Sequence, residues 1–341
     1  MRIPRTLSYS ALTTFESDAE EYFIRYLAEN RASRMPQDQP ASVGSAFDAY
    51  AKSSLHEALY GKGVDAQYEL DALFTAQVEE HNRDWARVEG KYVFDCYRHS
   101  GAYDTLLALL QKSIEPPRFE FTVEADILGV PFLGKPDCRF VLPGPVSVVH
   151  DWKVNGYCGK ASVSPTKGYM MCSDGEVAMK LNKKTSQYEP SPTKSDKQAH
   201  KQFVAVDCHG FKIDAGYMED INEGWADQLS LYGWALGEKI SDEKVVLSVH
   251  QIVAKAMPDR RPQLRVAEYR CRVRNSYQAL LAKRLVNCWQ AVLSGHVLQD
   301  MSREMNDARI RMLEQESTAL QSDGSSRENF FAECVRPKYR G

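Results

Sequence analysis

Gly134-Lys135-Pro136-Asp137-Cys138-Arg139-Phe140-Val141-Leu142-Pro143-Gly144-Pro145-Val146-Ser147-Val148-Val149-His150-Asp151-Trp152-Lys153 is the stretch whose reading decides the fold. Apolar or β-branched residues recur at alternate positions on both sides of Pro143-Gly144-Pro145, which only a tight turn accommodates, so the spacing predicts a β-hairpin. A register symmetric about Gly144 sets Asp137 opposite Asp151 and sends Lys153 from the same face two residues further on. Directly opposed residues have Cβ atoms roughly 4.5–5.5 Å apart. Two carboxylates at that separation repel, a costly pairing in a purely structural hairpin, whereas a divalent cation between them reverses the sign of the interaction. The hairpin therefore asks for a metal. A hard ion such as Mg2+ takes oxygen ligands and keeps several waters. With a lysine beside it, such a site suits hydrolysis of a phosphodiester: the ion polarises the phosphate, and the lysine orients or deprotonates the attacking water.

Length and composition bound the rest. With 341 residues the chain buries a large core, as one elaborated domain or two. A net charge of -3 excludes a globally basic nucleic-acid coat, so any DNA path is a local patch beside an acidic metal site. The 8 cysteines form no CxxC pairs, and Cys138, Cys271 and Cys288 stand in apolar strand or helix contexts, which reads as reduced buried thiols of a cytosolic protein. No apolar run approaches membrane-spanning length and the N-terminus has no signal-peptide core, so the expectation is a cytoplasmic protein without a membrane partner.

Residues 7–27 predict a helix capped by Ser8 or Ser10 and then an aromatic-rich amphipathic helix. Residues 31–42, polar and proline-containing, read as a loop, and Val43 to Tyr60 as a helix ending near Gly61. Helical stretches at 67–97 and 102–113 form a layer. Strands at Arg118–Ala125 and Val130–Leu142 join the hairpin as an antiparallel meander, with Glu120 and Glu124 pointing outward. Residues 155–215, rich in Gly, Pro, Ser, Thr and lysine, read as an insertion. It is either a solvated loop or a patch for phosphates, and it holds a short hairpin turning at His209-Gly210; neither His200 nor His209 is assigned to a metal. Asn222 to Leu236 carries Trp225, Leu229, Tyr232 and Leu236 as one helical stripe, with Gln228 one turn before Tyr232. A buried strand at Lys244–Val253, a strand at Leu264–Val273, a helix capped by Asn275 and stopped by Gly295, a polar helix near 301–320 and a charged tail complete the chain.

Pro136-Asp137 followed by Asp151-Trp152-Lys153 resembles the PD-(D/E)xK nuclease superfamily, with its Pro-Asp on one strand and Asp/Glu-x-Lys on the next. Three further phrases resemble the RecB-like, Cas4-like exonuclease branch: Ser8-Tyr9-Ser10-Ala11-Leu12, Gly44-x-x-x-Asp48, and Gln228-x-x-x-Tyr232. The resemblance implies an α/β (α+β) fold with a restriction-endonuclease-like α-β-β-β-α-β core and a mixed central sheet. The division it implies is 1–117 N-terminal helical region with the motif helix 43–60, 118–253 nuclease core interrupted by the insertion, and 254–341 C-terminal strand, helices and tail. It further implies that Asp137 and Asp151 hold one or two Mg2+ or Mn2+ ions, with Asp48 and the Trp152 carbonyl as further ligands. Lys153 would align the attacking water, and Gln228 with Tyr232 would position the lysine and the DNA backbone. Asp48, where the branch commonly has histidine, read alone is a solvated helix residue. Ser17-Asp18 stands where iron-sulfur members carry cysteine-proline and no C-terminal cysteine triplet follows, so no iron-sulfur cluster is expected. The activity implied is exonucleolytic degradation of DNA in recombination, repair or phage DNA metabolism, in a bacterial or phage-infected cell. A helicase or recombination protein is the expected partner, because the chain lacks GxxxxGK[ST]. A structure-specific or restriction-like endonuclease and a non-catalytic nucleic-acid-binding scaffold are the alternatives.

Overall fold

The computed structural model describes residues 1–31, 36–119, 121–154, 179–182, 187–190, 205–256 and 262–323. Helices α1 (Tyr9–Ser17) and α2 (Ala19–Tyr22, continued by a π-helical turn Phe23–Leu27) are followed by α3 (Gln39–Tyr60), α4 (Leu70–Gln77), α5 (Arg83–His99) and α6 (Ala102–Leu110). Strands β1 (Arg118–Phe119), β2 (Val123–Ile127), β3 (Val130–Gly134), β4 (Cys138–Leu142) and β5 (Val146–Val154) come next, then β6 (Met179–Asn182), β7 (Gln187–Pro190), β8 (Ala205–Cys208) and β9 (Phe211–Asp214). The chain continues through α7 (Met218–Ile221), α8 (Glu223–Ala235), β10 (Val245–Ala256), β11 (Pro262–Cys271), α9 (Asn275–Ser294) and α10 (Arg303–Asp323).

The central sheet has the order β1-β4-β5-β10-β11 and is mixed: β5 and β10 run parallel, and its other neighbours are antiparallel. The hairpin β4–β5 forms in the predicted register, with Leu142 against Val146 and Cys138 against His150, and Gly144 takes φ +108° in its turn. The expected three-stranded meander does not form. β2 and β3 make a separate two-stranded sheet, and only Arg118–Phe119 pairs with β4. Proline explains the break, because Pro136 has no N–H to donate to a ladder and stands in the three-residue gap between the end of β3 at Gly134 and the start of β4 at Cys138.

Two further expectations are corrected. The segment 39–42 is helix and not loop: Asp38 caps α3 through Ala41 N at 2.7 Å, and Pro40 sits in the first turn, where its missing N–H costs nothing. Asn275 is the first residue of α9 and not its cap, a position held by Arg274 without a side-chain bond. Of the two caps expected for α1 it is Ser8 that serves, and Asp18 and Asn222 cap α2 and α8. Glu124 points outward to Arg5, 3.2 Å away. Glu120, His200, most of the lysine-rich insertion and the tail beyond 323 lie outside the described residues.

Helices cover both faces of the sheet, which is why β5 is buried from Val146 to Trp152. Val149, Leu247 and Val249 pack with α1, α2, α8 and α9 on one face, whereas Val146, Val148, Val246 and Ile252 pack with α3, α5 and α6 on the other. Each such side chain contributes about 1.5–3 kcal/mol relative to exposure. Cys96, Cys138, Cys208, Cys271 and Cys288 are buried thiols outside any disulfide. Among the described residues no helix is long and apolar enough to cross a membrane.

Candidate active site

The two helix layers meet at the open end of the β4–β5 hairpin. α3 is anchored on one face by Val43, Phe47, Ala51 and Leu55, and α8 on the other by Ala226, Leu229 and Leu231. Their polar residues converge past the sheet, around a cleft of about 570 Å3 lined by Asp48, Gln77, Asp137, Asp151, Lys153 and Gln228 among others. Pro136 shapes this end. With β4 starting only at Cys138, Asp137 lies just outside the ladder, and its Oδ2 accepts the Trp152 backbone N–H at 3.2 Å.

The Asp137 and Asp151 carboxyl groups stand close enough to act on each other electrostatically. Burial raises both, and the outcome is set by the cations each one faces. Burial and then the charge of Asp137 push the Asp151 carboxyl well above the usual range. At Asp137 the burial penalty is outweighed, first by the Lys52 ammonium, and its carboxyl is held well below that range. The two carboxyls are thereby pushed apart, Asp151 toward its protonated form and Asp137 toward its ionised form.

Lys153 is ion-paired to Asp151 and donates to Gln228 Oε1 at 2.8 Å. Burial lowers its pKa but the Asp151 carboxylate more than restores it, so the side chain stays protonated. Gln228 Nε2 in turn donates to the Tyr232 hydroxyl at 3.1 Å. The Tyr232 ring lies against Gly134, where a Cβ atom would stand 2.9 Å from Cδ1. A continuous chain from Asp151 through Lys153 and Gln228 to Tyr232 thus joins the hairpin to α8.

Asp48 faces the same cleft from α3, in a setting the sequence reading did not foresee. Its Oδ2 accepts from Lys52 Nζ at 2.6 Å and from Gln77 Nε2 at 3.0 Å, and the same Lys52 Nζ donates to Asp137 Oδ1 at 3.1 Å. Lys52 is 0 % exposed. Its signal in the sequence is only the i,i+4 spacing from Asp48, which ordinarily marks a surface ion pair; Gln77 leaves no signal. His56, set aside by helical phase, stacks on Tyr68 with ring centroids 4.2 Å apart.

Beneath the site lies a buried polar layer. The Trp152 indole donates to the Tyr97 hydroxyl at 3.3 Å, which bonds His250 Nδ1 at 2.7 Å, and His150 Nδ1 bonds Ser248 at 3.0 Å. Burial holds His150 down to about 3 and His250 well below its ordinary value. Both rings are neutral.

Among the described residues no group of three or more His, Cys, Asp or Glu side chains is arranged to hold a metal ion. The donor set that does fit a hard divalent ion is the carboxyl pair Asp137 and Asp151, whose mutual repulsion such an ion would relieve.

No family model matches the chain, and no curated protein matches it. Among solved structures, it is similar to a protein from Eubacterium rectale described as a candidate exonuclease, at 14 % identity and a TM-score of 0.36 over 92 % of this chain and 82 % of that one. It is also similar to the protein SSO0001, at 11 % identity and a TM-score of 0.22 over 81 % of this chain and 84 % of that one. Scores of this size carry no argument about fold or activity.

Proposed function

We propose that this chain is a metal-dependent deoxyribonuclease of the RecB-like PD-(D/E)xK type, built on a restriction-endonuclease-like core and acting on DNA ends. The observation that carries the reading is the pair of buried Asp151 and half-buried Asp137 at the head of a cleft, with Lys153 ion-paired to Asp151. Two carboxyls in contact are a poor structural element and a good ligand pair for Mg2+ or Mn2+. When bound, such an ion would polarise the scissile phosphate and acidify a water. Asp137 and Asp151 would hold it.

The chain's own groups account for the rest. An ammonium has three protons to donate, and Lys153 directs two of them to Asp151 and Gln228, leaving one for the attacking water. Its retained charge would stabilise the negative charge that develops on the phosphate. Gln228 and Tyr232 on α8 would hold the strand being cut, and the partner that presents DNA ends would be a helicase or recombination protein. Cleavage of end-labelled linear duplex, single-stranded and closed circular DNA tests the reading, with Mg2+ or Mn2+ and with EDTA. Linear DNA should be degraded and circles spared, and Lys153→Ala and Asp151→Asn should each lower the rate by about a hundredfold or more while retaining the wild-type circular dichroism spectrum. Cutting of circles would move the assignment to an endonuclease. A folded wild type that binds DNA and cleaves no substrate would leave the scaffold reading.

A further inference from the structure

We propose that Lys52 is a resident cation: it fills the position that a second metal ion would take and limits the site to one divalent ion, held by Asp137 and Asp151. The inference rests on the metal-dependent reading above and deepens it. Lys52 comes from the fourth turn of α3, is 0 % exposed, and places its Nζ 2.6 Å from Asp48 Oδ2 and 3.1 Å from Asp137 Oδ1. A cation at hydrogen-bond distance from two carboxylates on different elements supplies the charge, and occupies the space, of an ion bridging them. Gln77 Nε2, 3.0 Å from the same Asp48 oxygen, closes that side of the cluster.

Charge balance points the same way. Once a bound ion has displaced the proton from Asp151, the three carboxylates Asp48, Asp137 and Asp151 set against the ammonium groups of Lys52 and Lys153 leave the side chains with one net negative charge. One divalent ion turns this into one net positive charge, which the scissile phosphate neutralises on binding. A second ion would leave two positive charges uncompensated in a largely desolvated cleft, where each is costly. Asp48 is on this account a positioning residue, which holds Lys52 in place and does not bind the ion directly.

The test is the stoichiometry of Mn2+ binding to the metal-free full chain, read from the electron paramagnetic resonance signal of free Mn2+ during titration. Wild type is expected to take one ion per chain. Lys52→Met, which keeps the length of the side chain and removes its charge, is expected to take two, with the spectral broadening of a coupled ion pair. Two ions in wild type, or one in both proteins, would overturn the proposal. Absence of Mn2+ binding by wild type would overturn the metal-dependent reading itself, and with it this one. Should Lys52→Met be folded but too unstable in EDTA for the titration, the change in its Tm on adding Mn2+ gives the answer: a rise larger than that of wild type supports the proposal, and an equal or smaller rise overturns it.

Discussion

At the scale of the residue, Lys153 has an orientation that depends on two acceptors from different elements, Asp151 on its own strand and Gln228 on α8. The sequence motif contains the first and leaves the second to a helix 75 residues away. Gln228→Leu removes an acceptor 2.8 Å from the ammonium and leaves Lys153 oriented by Asp151 alone. Single-turnover DNA cleavage is expected to fall by about 10- to 100-fold, or roughly 1.4–2.7 kcal/mol of transition-state stabilisation. Tyr232→Phe deletes only the hydroxyl that accepts from Gln228, so its expected loss is smaller, about tenfold or less. Equal losses in both variants would mean that the tyrosine hydroxyl contacts the DNA directly.

At the scale of the element, α3 and the break at Lys135-Pro136-Asp137 do most to build the site. Pro136 is what separates β3 from β4, and the separation lets Asp137 turn its carboxyl toward Trp152 N and Lys52 instead of extending a ladder. Periodicity read across this break as one strand, because alternation of apolar residues continues on both sides of it. α3 begins earlier than its apolar pattern suggests. Pro40 looks like a breaker in sequence, yet in the first turn of a helix proline is tolerated, and Asp38 provides the cap. Asp38→Ala is expected to lower stability by about 1 kcal/mol, seen as a reduced urea midpoint at unchanged slope. An unchanged midpoint would mean that the bond to Ala41 N contributes nothing net.

At the scale of the whole molecule, the sheet is closed on both faces, and the first helices are tied to the last two described ones by ion pairs. Arg284 on α9 bridges Glu16 of α1 and Asp227 of α8, and Arg309 on α10 pairs with Glu20 of α2. Closure on both faces also buries His150 and His250 as neutral rings, which gives the protein an acid sensitivity. In the unfolded chain each would take up a proton near pH 6.5. Because both folded values are depressed, the stability they confer is fully present above about pH 6.5 and is lost as pH falls toward the folded values. The urea unfolding free energy is expected to decline between pH 7 and pH 5 with a slope approaching about 1.4 kcal/mol per pH unit for each histidine. In His250→Gln the slope should drop by one histidine's share, whatever the variant does to stability at pH 7.

The hairpin, its register about Gly144, the helix boundaries set by Gly61 and Gly295, and the shared face of Gln228 and Tyr232 were legible in the sequence. All of these are local: alternation, turn chemistry and helical phase act over a few residues, and the side-chain direction of a strand or helix follows from them. The pairing of β5 with β10 in parallel and the split of the meander into two sheets depended on which surfaces bury each other. So did the arrival of Lys52 between Asp48 and Asp137. A lysine four residues after an aspartate carries the same local signature on a solvated helix face and in a buried cluster. Only the packing of α3 against one side of the sheet and α8 against the other removed water from that ammonium and turned an i,i+4 pair into part of the site.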